Sequence, residues 1–252
     1  AARPQLVGEP YRLKAENRDI MLVIDISPSM LQPDLSRTQR IDRLTAVKAV
    51  VGSFVQKRTE DRLGLILFGT RAYVQSPLTF DKNAVAEILN NADAGMAGNS
   101  TSIGDALGLA LKNLREEKEK NNKAIILLTD GENNDGSLSM AQAIGLAEKE
   151  GIKIYTVGVG SDRNFLGSLF GLGNGELDEK SLKELAQRTK GNYFRATDVN
   201  SLAEIYTKID QLEPAKSEGN IVQEKKDLFY IPLTFALILT LFLLFLPGRY
   251  LK

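Results

Sequence analysis

Short apolar runs alternate with amphipathic stretches along most of the chain. The runs are rich in Ile, Leu and Val and lie near residues 19–25, 62–68, 124–129, 152–159 and 192–196. Between and after them, apolar residues recur at helical spacing near residues 40–57, 81–89, 103–118, 140–150, 178–190 and 199–212. Unbroken apolar strands are typical of a parallel sheet buried on both faces. The pattern therefore predicts an α/β fold, a doubly wound, mostly parallel open sheet with helices on both faces.

Three finer features belong to this pattern. The alternating stretch from Ala72 to Ser76 predicts an edge strand paired antiparallel with 62–68. The basic residues of the first helix are most simply its solvated face, and they are Arg43, Lys48 and Lys57. The composition of residues 160–176 predicts a glycine-rich loop. Its apolar residues either pack within the loop or contact a partner or a membrane. They are Phe165, Leu166, Leu169 and Phe170.

Both ends of the chain differ from this alternating region. Residues 1–18 predict an extended lead-in, and 213–227 have the composition of a linker. Residues 228–246 (LFYIPLTFALILTLFLLFL) are 19 positions without a charge, about 28 Å long as a helix. We predict a transmembrane helix there, followed by a tail at 247–252, although a buried core helix is the alternative. Basic residues flank both sides, so the positive-inside rule assigns no orientation.

The amino-acid composition excludes several kinds of catalytic and metal-binding site. The 252 residues carry a formal net charge of +0 and contain neither His nor Cys. The balanced charge gives no electrostatic reason to expect nucleic-acid binding. The absence of His and Cys excludes Ser-His-Asp catalysis, cysteine nucleophiles, and imidazole or thiolate metal sites in this chain. The chain begins at Ala1 rather than Met, so we expect either processing or a missing upstream segment.

Oxygen-bearing side chains follow two of the predicted strands and precede a helix. Asp25, Ser27 and Ser29 come after the first strand, Thr101 lies in a polar loop, and Asp130 follows the strand at 124–129. Ligand sites of doubly wound folds lie at the carboxyl ends of strands. Oxygen ligands suit magnesium, manganese or calcium. Helix capping or turn formation by Asp25 and the serines is the alternative at that motif.

Two other motifs are discounted. Residues 130–141 have the spacing of an EF-hand loop, but Asp135 and Ala141 stand where Gly and Glu are required. Gly158 and Gly160 follow a strand, but Arg163 occupies the third glycine position of a dinucleotide motif.

The pattern of Asp25, Ser27, Ser29, Thr101 and Asp130 resembles the metal-ion-dependent adhesion site (MIDAS) of von Willebrand factor A (VWA) domains, over about residues 19–212. The resemblance implies direct metal contact by Ser27, Ser29 and often Thr101, with Asp25 and Asp130 acting largely through water. It also implies an open metal position, completed by water or by a carboxylate of a protein partner. Magnesium is the expected ion, with manganese or calcium as alternatives.

The stretches DRLGLILFGTRAYVQSPLTFD, GNSTSIGDALGLAL and IYTKIDQLEP further resemble the Bat (aerotolerance) membrane proteins. That resemblance implies an inner-membrane protein with an extracytoplasmic VWA domain, encoded beside a MoxR-type AAA+ ATPase. Two upstream helices are typical, and the residues ARPQ at the start resemble those after the second. One departure is Pro28, where these proteins usually have Gly, and a stiffer loop is expected from it.

The leading hypothesis is therefore a non-enzymatic, membrane-anchored module. It binds a protein partner through its metal, in concert with a MoxR-type ATPase and other Bat proteins, in envelope assembly or stress tolerance. One alternative is a magnesium-dependent phosphatase of the haloacid dehalogenase type, which also places an Asp after a first strand. Its general acid would fall at position 27, which is Ser. The other alternative is a membrane scaffold that needs no metal.

Overall fold

The computed structural model describes residues 5–7, 11–12, 18–36, 40–117, 122–131, 133–160, 178–213, 221–222, 225–228 and 230–245. The predicted loop at 160–176 lies outside these residues except for Gly160, and the predicted tail lies outside them entirely.

The strands, in chain order, are β1 (Gln5–Val7), β2 (Tyr11–Arg12), β3 (Arg18–Asp25), β4 (Arg62–Phe68), β5 (Ala72–Thr79), β6 (Asn122–Thr129), β7 (Lys153–Val159), β8 (Tyr193–Ala196), β9 (Ile221–Val222) and β10 (Lys225–Asp227). Strands β3 to β8 form a six-stranded sheet in the order β5-β4-β3-β6-β7-β8. Every neighbouring pair is parallel except β4 and β5, which are antiparallel as predicted. The first predicted strand, β3, is therefore central.

The helices, in chain order, are α1 (Arg43–Lys57), α2 (Lys82–Asn90), α3 (Ile103–Glu116), α4 (Met140–Glu150), α5 (Glu179–Arg188), α6 (Val199–Leu212) and α7 (Tyr230–Phe245). A 3₁₀ turn at Pro28–Leu31 follows β3. Asp81 and Asp178 cap α2 and α5, because their carboxylates accept the backbone N–H groups of Ala84 and Ser181.

Two hydrophobic cores lie on opposite faces of the sheet. Ile20, Leu22 and Ile24 of β3 pack into the core that α1, α2 and α6 cover. Met21 and Val23 of the same strand pack into the core under α3, α4 and α5. Alternate side chains of one strand are thus buried in different cores, which is why β3 is apolar without interruption. The α/β fold with its mostly parallel sheet is confirmed.

By compactness, the chain divides into one unit at Glu16–Ser217 and a second formed by Ala1–Ala15 with Glu218–Lys252. In the second unit β1 pairs antiparallel with β10, and β2 with β9. The predicted lead-in and linker thus contain short strands. Helix α7 lies within the predicted span 228–246, but no helix in the described part of the chain combines the length and apolarity needed to cross a membrane. The transmembrane part of the fold prediction is therefore unsupported.

Candidate metal centre

The centre of the candidate site is the carboxylate of Asp25, the last residue of β3. Parallel pairing of Ile24 with Leu128 brings the next residues, Asp25 and Thr129, side by side. The Thr129 hydroxyl donates to Asp25 Oδ2 at 2.6 Å, and the Ser27 N–H donates to Asp25 Oδ1 at 2.8 Å. Asp25 is fully buried. Its charge is thus held by two neutral donors at the carboxyl end of the sheet.

A row of side-chain oxygens leads from the turn after β3 to the end of β6. The hydroxyl oxygens of Ser27 and Ser29 are 2.9 Å apart, and the Ser29 hydroxyl donates to Asp130 Oδ1 at 2.7 Å. Pro28 opens the 3₁₀ turn between the two serines. A proline at the first position of such a turn lacks only an N–H that has no partner there. The departure at Pro28 is therefore accommodated, and the Ser29 hydroxyl reaches Asp130 while the Ser27 hydroxyl contacts Ser29.

The loop before α3 holds Thr101, which is buried. The carbonyl oxygen of Thr101 accepts the N–H groups of Asn134 and Asp135 at 3.0 and 3.3 Å. A Cβ on Gly131 would lie 3.6 Å from the Thr101 hydroxyl oxygen, so this hydroxyl borders the residue after Asp130. The loop after β6 and the loop before α3 thus meet at Thr101.

The loop after β6 is also held to the start of α3 by side-chain hydrogen bonds. The Asp105 carboxylate accepts the N–H of Leu138 at 2.8 Å and also that of Ser137. The Asn133 side chain accepts the N–H of Gly104 at 3.0 Å. These bonds hold the loop that follows Asp130 against α3. Asp130 therefore lies between two restrained segments, strand β6 before it and this loop after it.

Arg43 is where the sequence interpretation is wrong. We took it as part of a solvated helix face, yet its side chain is only 4% exposed. Its guanidinium donates to Asp130 Oδ2 at 2.7 Å and to both oxygens of Asp34, at 2.8 and 2.5 Å. The one available signal was its place in the first turn of α1, where the helix dipole disfavours a cation. Asp34 and Thr129 were also missed.

The model of the von Willebrand factor type A domain matches residues 19–208 of this chain. The chain belongs to the von Willebrand factor type A domain family.

The similarity to Bat proteins is also confirmed. The BatB protein of Bacteroides thetaiotaomicron is 28% identical, with a TM-score of 0.61, over 77% of this chain and 98% of that one. An aerotolerance-related membrane protein of Bacteroides fragilis is 27% identical, with a TM-score of 0.60, over 75% and 96%.

A curated relative, an uncharacterized protein of Borreliella burgdorferi, is 28% identical over 236 residues. That alignment covers 89% of this chain but 68% of the relative. This VWA chain therefore corresponds to about two thirds of the longer relative.

The electrostatics of the VWA site are those of crowded carboxylates. Burial, and then the negative charge of Asp130, raises the pKa of Asp25 from its ordinary 3.8 to about 6. Burial also raises the pKa of Asp130, although the Arg43 guanidinium and the Ser29 hydroxyl oppose the shift. The site therefore favours any added positive charge, whether a proton or a metal ion.

The oxygen spacing fits a small divalent cation. In an octahedral magnesium site with ligands about 2.1 Å from the ion, neighbouring ligand oxygens are about 3 Å apart. The spacings of 2.9 Å from Ser27 to Ser29 and 2.7 Å from Ser29 to Asp130 are close to this value. Among the described residues, no three carboxylates form a metal-binding group by themselves. A metal in this VWA domain would therefore depend on the serine and threonine hydroxyls.

Proposed function

We propose that this chain is a VWA module that binds a divalent cation, most simply magnesium, and through it an acidic group of a protein partner. The metal residues we assign are Asp25, Ser27, Ser29, Thr101 and Asp130. The observation that carries the proposal is the continuous row of Ser27, Ser29 and Asp130 side-chain oxygens, 2.9 and 2.7 Å apart, beside the buried Asp25 carboxylate. When bound, the ion would supply an electrophilic position for an outside carboxylate.

Exposed apolar side chains beside these oxygens support the binding of a protein. Leu31, at the end of the 3₁₀ turn, is 57% exposed, and Met96 is 69% exposed. Met96 follows Gly95, whose N–H donates to the carbonyl oxygen of Ile26 at 2.7 Å, next to Ser27. Protein interfaces combine a patch of apolar side chains, in which Met is enriched, with polar groups around it. We therefore expect the partner's acidic group to lie among apolar neighbours.

We further propose that the module, residues 19–212, is membrane-associated through the apolar segment 228–246. Support comes from the uncharged sequence and from described apolar side chains of α7 that are exposed, such as Phe235 at 73%. A similar protein of Bacteroides fragilis is described as an aerotolerance-related membrane protein. We propose, from the Bat resemblance, that the module lies on the extracytoplasmic side of the inner membrane. A MoxR-type ATPase and other Bat proteins are its candidate partners in envelope assembly or stress tolerance.

Catalysis is not part of this proposal. A phosphatase of the haloacid dehalogenase type would need the Asp25 carboxylate as an accessible nucleophile with an acid two residues on. Asp25 is fully buried, both its oxygens accept hydrogen bonds, and residue 27 is Ser. These features favour a carboxylate that orients ligands.

The metal assignment is tested by titrating the full chain, stripped with EDTA, with manganese and then with magnesium in a calorimeter. We expect saturable binding of one ion by the wild type and its loss in Asp25→Ala and Ser27→Ala. Ser53→Ala, an exposed serine of α1, is the matched control and is expected to bind as the wild type does. Equal binding by all three variants would refute the assigned site.

Partner binding is tested by pull-down from membranes of the source cell, with and without EDTA, followed by mass spectrometry. We expect a protein that is captured only with metal and only by a chain with an intact Ser27. Capture that is independent of both would favour the metal-free scaffold.

A further inference from the structure

Arg43 occupies a position in which a positive charge is unfavourable. It is the first residue of α1, at the end of the helix that carries positive partial charge. Its side chain is only 4% exposed, so the guanidinium has also lost most of its hydration. Helix stability therefore does not account for Arg43, and its carboxylate partners must.

The guanidinium is shared between two loops of the candidate site. It donates two hydrogen bonds to Asp34, in the loop that follows the 3₁₀ turn, and one hydrogen bond to Asp130, directly after β6. A guanidinium is not deprotonated in proteins. Arg43 thus remains charged and connects the loop that carries the serines to Asp130.

The two oxygens of Asp130 have different neighbours. Oδ1 accepts the Ser29 hydroxyl at 2.7 Å, whereas Oδ2 accepts Arg43 at 2.7 Å. A divalent ion beside Ser29 would be attracted by the same carboxylate. Arg43 and the ion therefore compete for the negative charge of Asp130.

The balance of charges at the site is consistent with competition between Arg43 and a divalent ion. Among the described residues that form this set of contacts, the carboxylates of Asp25, Asp34 and Asp130 carry three negative charges and the guanidinium of Arg43 carries one positive charge. One divalent ion would offset the two negative charges that remain. Without Arg43, one negative charge would remain after the ion had bound, and the ion would be held more tightly.

We propose that Arg43 is a resident cation of the metal site that limits its affinity for divalent ions and holds Asp130 in place while no ion is bound. The inference rests on the proposed metal-binding function. A purely structural tie between the two loops is the competing explanation. The two explanations differ in the sign of the effect, because Arg43→Gln adds a net negative charge to the cluster whereas Asp34→Asn removes one, and both break the same ion pair.

The test is manganese titration of the EDTA-stripped full chain by calorimetry, comparing the wild type with Arg43→Gln, Asp34→Asn and Arg43→Lys. A neighbouring arginine lowers the proton affinity of a carboxylate by about ten- to a thousandfold. From the low end of that range, we expect Arg43→Gln to bind manganese about tenfold more tightly. Asp34→Asn should bind more weakly than the wild type, and Arg43→Lys, which keeps the charge, should bind about as well.

Thermal unfolding gives a second readout that does not depend on calorimetry. Arg43→Gln should unfold at a lower temperature than the wild type without metal, since Asp130 loses its counter-charge, yet gain more on saturation with manganese. Should Arg43→Gln fail to fold without metal, the weaker binding by Asp34→Asn and the unchanged binding by Arg43→Lys still test the charge argument.

Weaker manganese binding by both Arg43→Gln and Asp34→Asn would overturn the inference in favour of a structural tie, and would leave the proposed function standing. No manganese binding by the wild type would overturn the inference and the metal-binding function together. Tighter binding by Arg43→Gln with weaker binding by Asp34→Asn would support both.

Discussion

Replacing Asp25 with Asn is expected to stabilise the metal-free domain while abolishing metal binding. Asp25 is fully buried, its partners are the neutral donors Thr129 and Ser27, and Asp130 adds repulsion. An Asn side chain has the same shape and carries no charge. It can accept the Ser27 N–H through its oxygen and bond with Thr129 through its amide group.

The size of the expected change in stability follows from the pKa of Asp25. A rise from 3.8 to about 6 is about two pKa units, and at about 1.4 kcal/mol per unit it means that ionised Asp25 destabilises the folded domain by about 3 kcal/mol at pH 7. Imperfect replacement of the hydrogen bonds reduces the gain, so we expect Asp25→Asn to be about 1 to 3 kcal/mol more stable. For a domain of this size, that is a rise in Tm of about 2 to 12 °C.

The pH dependence has a definite sign. The folded state binds the Asp25 proton more tightly than the unfolded chain does, so the penalty is present above pH 6 and is relieved as the pH falls from about 6 towards 3.8. Metal-free wild type should therefore gain stability over this window relative to Asp25→Asn. Protonation of groups that do not interact with Asp25 affects both proteins equally and cancels in the comparison, whereas Asp130 titrates together with Asp25 and contributes to the difference.

The assay is urea unfolding of the EDTA-treated full chain at pH 7 and pH 5, repeated with saturating magnesium. Asp93→Asn, an exposed aspartate, is the control and should change little. Lower stability of Asp25→Asn without metal, or equal stabilisation of Asp25→Asn and wild type by magnesium, would refute the reasoning.

The remaining predictions concern the metal oxygens, the loop behind them and the surface around them. Ser29→Ala should bind manganese at least about tenfold more weakly in calorimetry, and unchanged affinity would count against its role. Gly104→Ala should lower the free energy of unfolding by about 1 to 3 kcal/mol, because its Cβ would lie 1.9 Å from a carbonyl oxygen of the loop after β6. Gly145→Ala, which has nothing within 4 Å, should raise it by about 0.5 to 1 kcal/mol, and equal urea midpoints for the two would contradict this packing argument. Leu31→Ser with Met96→Ser should leave manganese binding intact but reduce metal-dependent partner capture in the pull-down, and undiminished capture would place the interface elsewhere.

The fold and the oxygen row could be predicted because their signals are local. An apolar run ending at Asp25, and another ending just before Asp130, indicate buried strands whose ends meet at one edge of a parallel sheet. Each of these features depends on residues only a few positions apart.

The charged surroundings of the site could not be predicted, because they depend on register and tertiary contact. Thr129 looked like an ordinary strand residue, and only the pairing of β3 with β6 places its hydroxyl on Asp25. Arg43 lies 87 positions from Asp130, and its place on α1 looked like a solvated face. Strands as short as β2 and β9 contain too few residues to show any periodicity.

The most direct test of the central claim is a crystal structure of the chain grown with manganese, with anomalous diffraction data. We expect one anomalous peak at about 2.1 to 2.2 Å from the hydroxyl oxygens of Ser27 and Ser29, on the Thr101 side of Asp130. A peak at any other place, or none at saturating manganese, would contradict it.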